Sequence, residues 1–424
     1  MNEGNESLVL YVDGKSSIKV FFADSKTRSK ECFVLFSSWG GRSLCNKIGG
    51  TDPLLREGYD VICVQSNCDD WHQNISINGI DKLRDFLEKK YSVAKGYGSS
   101  MGGFGAIAYA HRLNLKAVLA LSPQYTISES FDKRWSRENQ NILWHQTADM
   151  AANFSGVIRL VYDPLNLDAK HAELLRENFR EASIFCYEIK FGSHPTTQYF
   201  DDGGVLKKLL LSFANDDFEI PSVERKINKT YLWQLSAHLA RKSKLRWAKA
   251  AVQRSIELGE ERHSVCRQAS NISHRLKEID DAITFAKKAV NAKDNNDTSR
   301  ADHIEHLANM LRIGGKLDDA LSAVDELLRA DENRFSGYTV KADILLDMQQ
   351  VDEAKAAIQR SIELGDDRHA AYRQASDLSH RLKEIDDAIK FAKQAVTAKD
   401  NDDISRANHK EHLANMLRIA GTLV

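Results

Sequence analysis

Residues 248–259 read Ala-Lys-Ala-Ala-Val-Gln-Arg-Ser-Ile-Glu-Leu-Gly and return at 354–365 with a single Val-to-Ile change, an offset of 106 residues. The same offset maps His274–Ala282 onto His380–Ala388 and Glu305–Ile313 onto Glu411–Ile419. A shorter period lies inside the long one. Ala248, Ala282, Ala320, Ala354 and Ala388 are separated by 34, 38, 34 and 34 residues. Twelve residues before each stands another small residue: Ser236, Ser270, Ala308, Ala342 and Ser376. Small side chains at two fixed points let paired helices approach closely, and repetition stacks the pairs into one continuous core. The chain from about residue 226 is therefore expected to be an all-helical array.

Residues 1–215 follow a different rhythm. Short β-rich runs (Leu8–Val12, Ile18–Phe22, Phe33–Phe36, Asp60–Val64, Val93–Tyr97, Ala117–Leu121, Ile158–Tyr162 and Ile184–Ile189) alternate with helical stretches such as Ile80–Lys90 and Ala169–Phe179. Apolar strands separated by helices predict a mostly parallel sheet with helices on both faces, and the first two runs are close enough for an edge hairpin. The polar stretch 216–225, with Pro221, reads as a linker between the halves. A formal net charge of −1 and the lack of a long basic run give no support to nucleic acid as a partner. No run approaches the roughly 20 apolar residues of a membrane span, and the polar N-terminus has no signal-peptide core. The six cysteines are scattered without CxxC spacing, so a reduced, cytoplasmic protein is expected, with no metal and no cofactor.

The period in the second half resembles the tetratricopeptide repeat (TPR), over roughly 226–424, although the usual proline after the second helix is replaced, as in Ala292-Lys-Asp-Asn and Ala330-Asp-Glu-Asn. The resemblance implies that one face of each first helix lines a concave groove for a protein or peptide. The matching residues are Arg267, Asn271 and His274; Glu305, Asn309 and Arg312; Arg373, Asp377 and His380; and Glu411, Asn415 and Arg418. The competing reading is a solvated face preserved by recent duplication. The sequence stops after a first helix without its partner, and the apolar surface expected at an uncapped repeat would be covered by a homo-oligomer contact or by another part of the protein. His303 and His306 recur as His409 and His412; without a carboxylate or cysteine cluster beside them, a solvated helix surface is expected.

Gly98-Ser99-Ser100-Met101-Gly102 follows the run Val93–Tyr97 and opens a small-residue helix. A serine between glycines at a strand-to-helix turn is the presentation a nucleophile needs, because the turn is tight and brings neighbouring chains close. Downstream, the run ending at Tyr162 leads into Asp163-Pro164-Leu165-Asn166-Leu167-Asp168, and Ile184–Ile189 leads into Phe191-Gly192-Ser193-His194-Pro195. The order Ser100, Asp, His194 resembles the α/β-hydrolase fold over residues 1–215. By that resemblance Ser100 attacks a carbonyl, His194 takes its proton, and an aspartate orients the imidazole. Asp163, directly after its strand and before a proline, is preferred as the acid. Asp168 is the alternate, and its other reading is the N-cap of a helix.

An oxyanion hole needs two aimed N–H groups. Met101 offers one, and Ser38 or Trp39, in Ser37-Ser38-Trp39-Gly40-Gly41 after the run Phe33–Phe36, is placed to offer the other. Residues 126–155, containing Arg134, Trp135, Arg137, Trp144 and His145, sit where the resembling family carries a cap. Trp39, Trp71, Trp135 and Trp144 are candidate pocket walls, or else packing between cap and core. The expected function is hydrolysis of a small-molecule ester or thioester, with the repeats recruiting a partner. Transfer of the acyl group to a sugar or other acceptor, and a scaffold without activity, are the alternatives.

Overall fold

Every residue of the segments Cys32–Phe36 and Val61–Val64 is apolar or cysteine, which suits strands buried on both faces. In the computed structural model, which describes residues 6–144, 153–365, 369–398 and 403–421, they are central strands of an eight-stranded sheet. The strands are β1 (Ser7–Val12), β2 (Ser16–Phe21), β3 (Glu31–Phe36), β4 (Asp60–Ser66), β5 (Val93–Ser99), β6 (Ala117–Leu121), β7 (Val157–Tyr162) and β8 (Ser183–Glu188). Their order is β1-β2-β4-β3-β5-β6-β7-β8. β2 pairs antiparallel with both neighbours and the remaining pairs are parallel. All eight predicted runs are strands of this sheet, and the first two form the edge hairpin.

Period-two alternation sorts the side chains into two cores. Cys32, Val34 and Phe36 face one, beneath α2 (Ile77–Lys90), α3 (Met101–Ala108) and α5 (Asp168–Asn178). Phe33 and Leu35 face the other, beneath α1 (Thr51–Arg56), α6 (Thr197–Asp202) and α7 (Leu206–Ala214). The chain leaves β3 for β4 on one side and returns to β5 on the other. The carboxyl ends of β3 and β5 thus flank a switch point, where open α/β sheets form ligand crevices. The described part of 126–155 holds a 3₁₀ turn at Lys133–Trp135 and a short helix α4 (Ser136–Asn139). Ile127 and Phe154 are buried in the first core, and Trp135 and Trp144 pack against it. His145 lies outside the described residues.

Two compact units divide at 235/236, which places the boundary inside α8 (Lys229–Arg241) rather than in a linker at 216–225. The cause is apolar: Phe218, Ile220, Val223 and Tyr231 pack against the second core of the sheet unit, and the Asn228 side chain donates to the Tyr199 carbonyl at 2.8 Å.

The second unit consists of helix pairs. Described after α8 are α9 (Leu245–Glu257), α10 (His263–Arg275), α11 (Ile279–Val290), α12 (Asp297–Ile313), α13 (Leu317–Ala330), α14 (Phe335–Asp347), α15 (Val351–Gly365), α16 (His369–Arg381), α17 (Ile385–Thr397) and α18 (Asp403–Ile419). The five repeated alanines are fully buried, as close packing demands. The serines twelve residues earlier add a bond: Ser236, Ser270 and Ser376 donate to the carbonyls of Ala248, Ala282 and Ala388 at 2.7–2.8 Å.

Candidate active site

Ser100 is the turn between β5 and α3, and the strained backbone falls on it rather than on the glycines beside it: φ is +52° and ψ −118°. Positive φ is costly for a residue with a Cβ and persists where the surroundings enforce it. The flanking glycines are required by contact instead. A Cβ on Gly98 would lie 2.0 Å from the Gly102 carbonyl oxygen, and one on Gly102 would lie 2.4 Å from that of Phe36. The first turn of α3 is therefore pressed against the end of β3, beside the loop that follows it.

Ser100 Oγ lies 2.9 Å from His194 Nε2. His194 Nδ1 lies 2.9 Å from both carboxylate oxygens of Asp168. The acid facing the imidazole is thus Asp168 and not the preferred Asp163. Both follow β7, but the five-residue run from Asp163 to Leu167 carries the chain across before α5 begins. Asn166 Oδ1 accepts the Asp168 N–H at 2.8 Å, so Asp168 opens the helix with its carboxylate turned to His194 rather than capping. Asp163 serves the same loop from behind. Its oxygens accept the N–H groups of Leu165 and Ser193, each at 3.0 Å, and burial pushes its carboxyl above the ordinary value despite those bonds. The His194 loop is further held by Thr196 N–H donating to Ser122 Oγ at 3.1 Å and Gln234 Nε2 to Ser193 Oγ at 2.9 Å.

The loop after β3 is constrained too. The N–H of Ser37 is taken by the Val64 carbonyl, that of Gly40 by Asp69 Oδ1 and that of Gly41 by the Ser38 carbonyl. These bonds do not use the N–H groups of Ser38 and Trp39, the residues expected to supply the second oxyanion donor. His72, fully buried, lies with Nε2 3.0 Å from the Ser37 carbonyl. A carbonyl only accepts, so Nε2 carries the proton, and burial depresses the basicity of the ring. His72 thereby fixes the loop's orientation, a role with no local signature in the sequence.

The aromatic residues divide by depth. Trp71 is fully buried and offers no face to solvent; its indole N–H donates to Gln124 Oε1 at 3.2 Å, and Ser100 Oγ lies 3.3 Å from the same oxygen. Trp135 packs edge-on to Trp71, with centroids 5.2 Å apart, and lies 6.1 Å from His194. Trp39, half exposed, tilts against Trp135 at 6.2 Å. Trp144 packs on Phe104, and its indole N–H is spent on Asn139. Of the four expected walls, Trp135 lies beside His194 with Trp39 against it, both with partly accessible surface, Trp71 is a buried support, and Trp144 packs cap to core. The sequence also missed Arg134 as a link. It pairs with Asp132 at 2.8 Å and reaches Asp168 at 3.3 Å, while Asp132 accepts from His171 Nε2 at 3.1 Å. Although burial opposes it, these hydrogen bonds and the Arg134 charge hold the Asp132 carboxyl below the usual carboxylate range.

In the helical unit, several groove candidates are committed to neighbours. Arg312 pairs with Asp347 at 2.7 Å. Glu305 pairs with Arg334 and accepts from Ser336 Oγ at 2.6 Å. Arg267 donates to the Asp302 carbonyl at 3.2 Å, and Arg373 pairs with Asp377 at 3.1 Å. Asn271 is exposed, while His274, Asn309 and His380 are half-buried. Glu411, Asn415 and Arg418 lie exposed on α18. The recurring histidines are not on a solvated surface. His303, His306, His409 and His412 are buried. His306 and His412 meet Ser270 and Ser376 at 2.8 and 2.9 Å, and His303 and His409 meet His263 and His369 at 2.9 Å.

Residues 335–364, spanning α14 and α15, match the family model of the tetratricopeptide repeat. Among solved structures, the chain is similar to YrrB, described as a TPR protein with an unusual peptide-binding site (17% identity, 44% of this chain and 93% of that one, TM-score 0.30). It is also similar to TTC0263, a thermophilic TPR protein of Thermus thermophilus (14%, 44% and 99%, TM-score 0.34), and to PilF of Pseudomonas aeruginosa (14%, 47% and 93%, TM-score 0.33). A search of curated proteins found no match. Among the described residues, no helix is long and apolar enough to cross a membrane.

Proposed function

We propose that residues 1–235 form a serine hydrolase of the α/β-hydrolase type, acting on a carboxylic ester or thioester, and that the helical repeats bind a protein or peptide. The observation that carries the enzymatic reading is the continuous relay Ser100–His194–Asp168, each link 2.9 Å, at a strained strand-to-helix turn. In this reading Ser100 Oγ attacks the carbonyl carbon as His194 Nε2 takes its proton, while Asp168 keeps Nδ1 protonated and stabilises the imidazolium. The developing oxyanion is met by the Met101 N–H and by that of Ser38 or Trp39. His194 then returns its proton to the leaving alcohol or thiol, and water attacks the acyl-serine by the reverse sequence. A scaffold that had lost activity would have no need to keep a complete relay and a strained serine together.

The match to the tetratricopeptide repeat supports the binding role of the second half. Its recognition chemistry is expected to come from groove residues not already consumed by cross-repeat ion pairs, Asn271 and Asn309 among them.

Labelling with a fluorophosphonate tests the enzymatic reading. The wild type should be labelled, and Ser100→Ala and His194→Ala should not. A folded wild type that resists the probe would refute it.

A further inference from the structure

Buried polar atoms are nearly always paired, and a buried donor left empty costs about 1–3 kcal/mol. Two such donors stand beside the Ser100–His194 pair: Gln124 Nε2 and Trp135 Nε1, neither with a hydrogen-bond partner among the described residues. The Gln124 side chain cannot turn to relieve its own vacancy. Trp71 Nε1 is a donor only, so the carboxamide must present Oε1 to it, and Ser100 Oγ lies against that same oxygen at 3.3 Å. The NH2 group, bonded to the same carbon as Oε1, is thereby fixed close to the nucleophile, on a residue only 1% exposed. Trp135 belongs to the same cluster, one ring from Trp71 and one ring from His194. Both orphans are donors, so what they lack is an acceptor.

We infer that Gln124 and Trp135 form a substrate-reading subsite for an acceptor oxygen on the acyl group, so that the preferred substrate carries an ether, hydroxyl or second carbonyl oxygen near the scissile carbonyl rather than a plain hydrocarbon chain. The acyl side is the one in question because the acyl carbon becomes bonded to Ser100 Oγ, and its first substituents are then the substrate atoms nearest Gln124. A hydrocarbon acyl group would leave both donors buried and empty, which is how a polar site rejects an isostere lacking the matching group. The inference rests on the proposed serine chemistry.

The test uses the full chain and two fluorophosphonates that differ in one atom, with phosphorus-bound propyl or methoxymethyl chains. In each, Ser100 Oγ forms the bond to phosphorus and fluoride departs, so the labelling rate needs no turnover. Intrinsic reactivity cancels when the methoxymethyl-to-propyl rate ratio is compared between proteins. Trp135→Phe keeps the ring and removes its N–H. Gln124→Glu keeps the oxygen facing Trp71 and replaces the NH2 group. The ratio should fall about 5- to 100-fold in Gln124→Glu and about 5-fold or more in Trp135→Phe. Labelling of all three proteins with ratios within about twofold would overturn the subsite and leave the hydrolase reading standing. If Gln124→Glu does not fold, Trp135→Phe decides alone. A wild type labelled by neither probe would overturn the hydrolase reading and the subsite with it.

Discussion

Asp163 and Asp168 are both buried, both follow β7, and both touch the histidine loop, yet they make different demands on chemistry. Asp168 meets the imidazole Nδ1. Asp168→Asn retains the shape but favours the wrong tautomer, and kcat should fall about 10³- to 10⁴-fold in an ester assay. Asp163 instead accepts two backbone N–H groups. Asparagine there has one oxygen for two donors and sets an NH2 against the other, so Asp163→Asn should lower the melting temperature, with kcat falling no more than about tenfold. Equal losses of kcat in the two variants would mean the relay runs through neither residue alone.

In the helical elements, the turns joining first to second helices carry left-handed residues at Ser243, Lys277, Gly315, Gln349 and Lys383, in step with the repeat. Glycine occupies one of these five positions, so the other four hold a side chain in a region glycine prefers. Lys277→Gly or Gln349→Gly should stabilise the protein by about 0.5–1 kcal/mol in urea unfolding. The buried histidines set a pH limit on the same elements. Burial, reinforced by the Arg267 charge, pushes His306 down to about 3, and burial with Arg373 lowers His412 as well. The folded protein thus holds neutral imidazoles that the unfolded chain protonates below about 6.5. Their contribution is complete above that pH and declines as the pH falls toward the folded value, by up to about 1.4 kcal/mol per pH unit for each histidine. Urea midpoints measured from pH 7 to pH 4 should fall less steeply in His306→Gln than in the wild type.

Across the whole molecule, the division inside α8 changes where the chain can be cut. A fragment ending at 242 keeps Phe218, Ile220, Val223 and Tyr231 on the second core, together with the bonds of Asn228 and Gln234. It should melt cooperatively and still take the fluorophosphonate. A fragment ending at 215 loses all of these and should be less stable by more than about 3 kcal/mol, or insoluble. Equal stability of the two fragments would show that 216–242 contributes nothing to the sheet unit.

The sequence by itself determined what is local or periodic: eight strands from their apolar runs, helix pairs from the spacing of alanines and serines, and the serine turn from glycines that close backbone contact requires. It also named Ser100 and His194 as a pair, through the order Ser, Asp, His that resembles the α/β-hydrolase fold. Tertiary structure decided the rest. The carboxylate that reaches His194 depends on how five loop residues cross before α5. Gln124, His72 and Arg134 enter through contacts made 24 to 35 residues away in the chain, for which no spacing rule exists. The repeated histidines look exposed in a sequence rich in polar neighbours, and only the stacking of α10 on α12 and of α16 on α18 puts them inside. Patterns report which face an element buries; which groups meet across that face is settled by packing among elements distant in sequence.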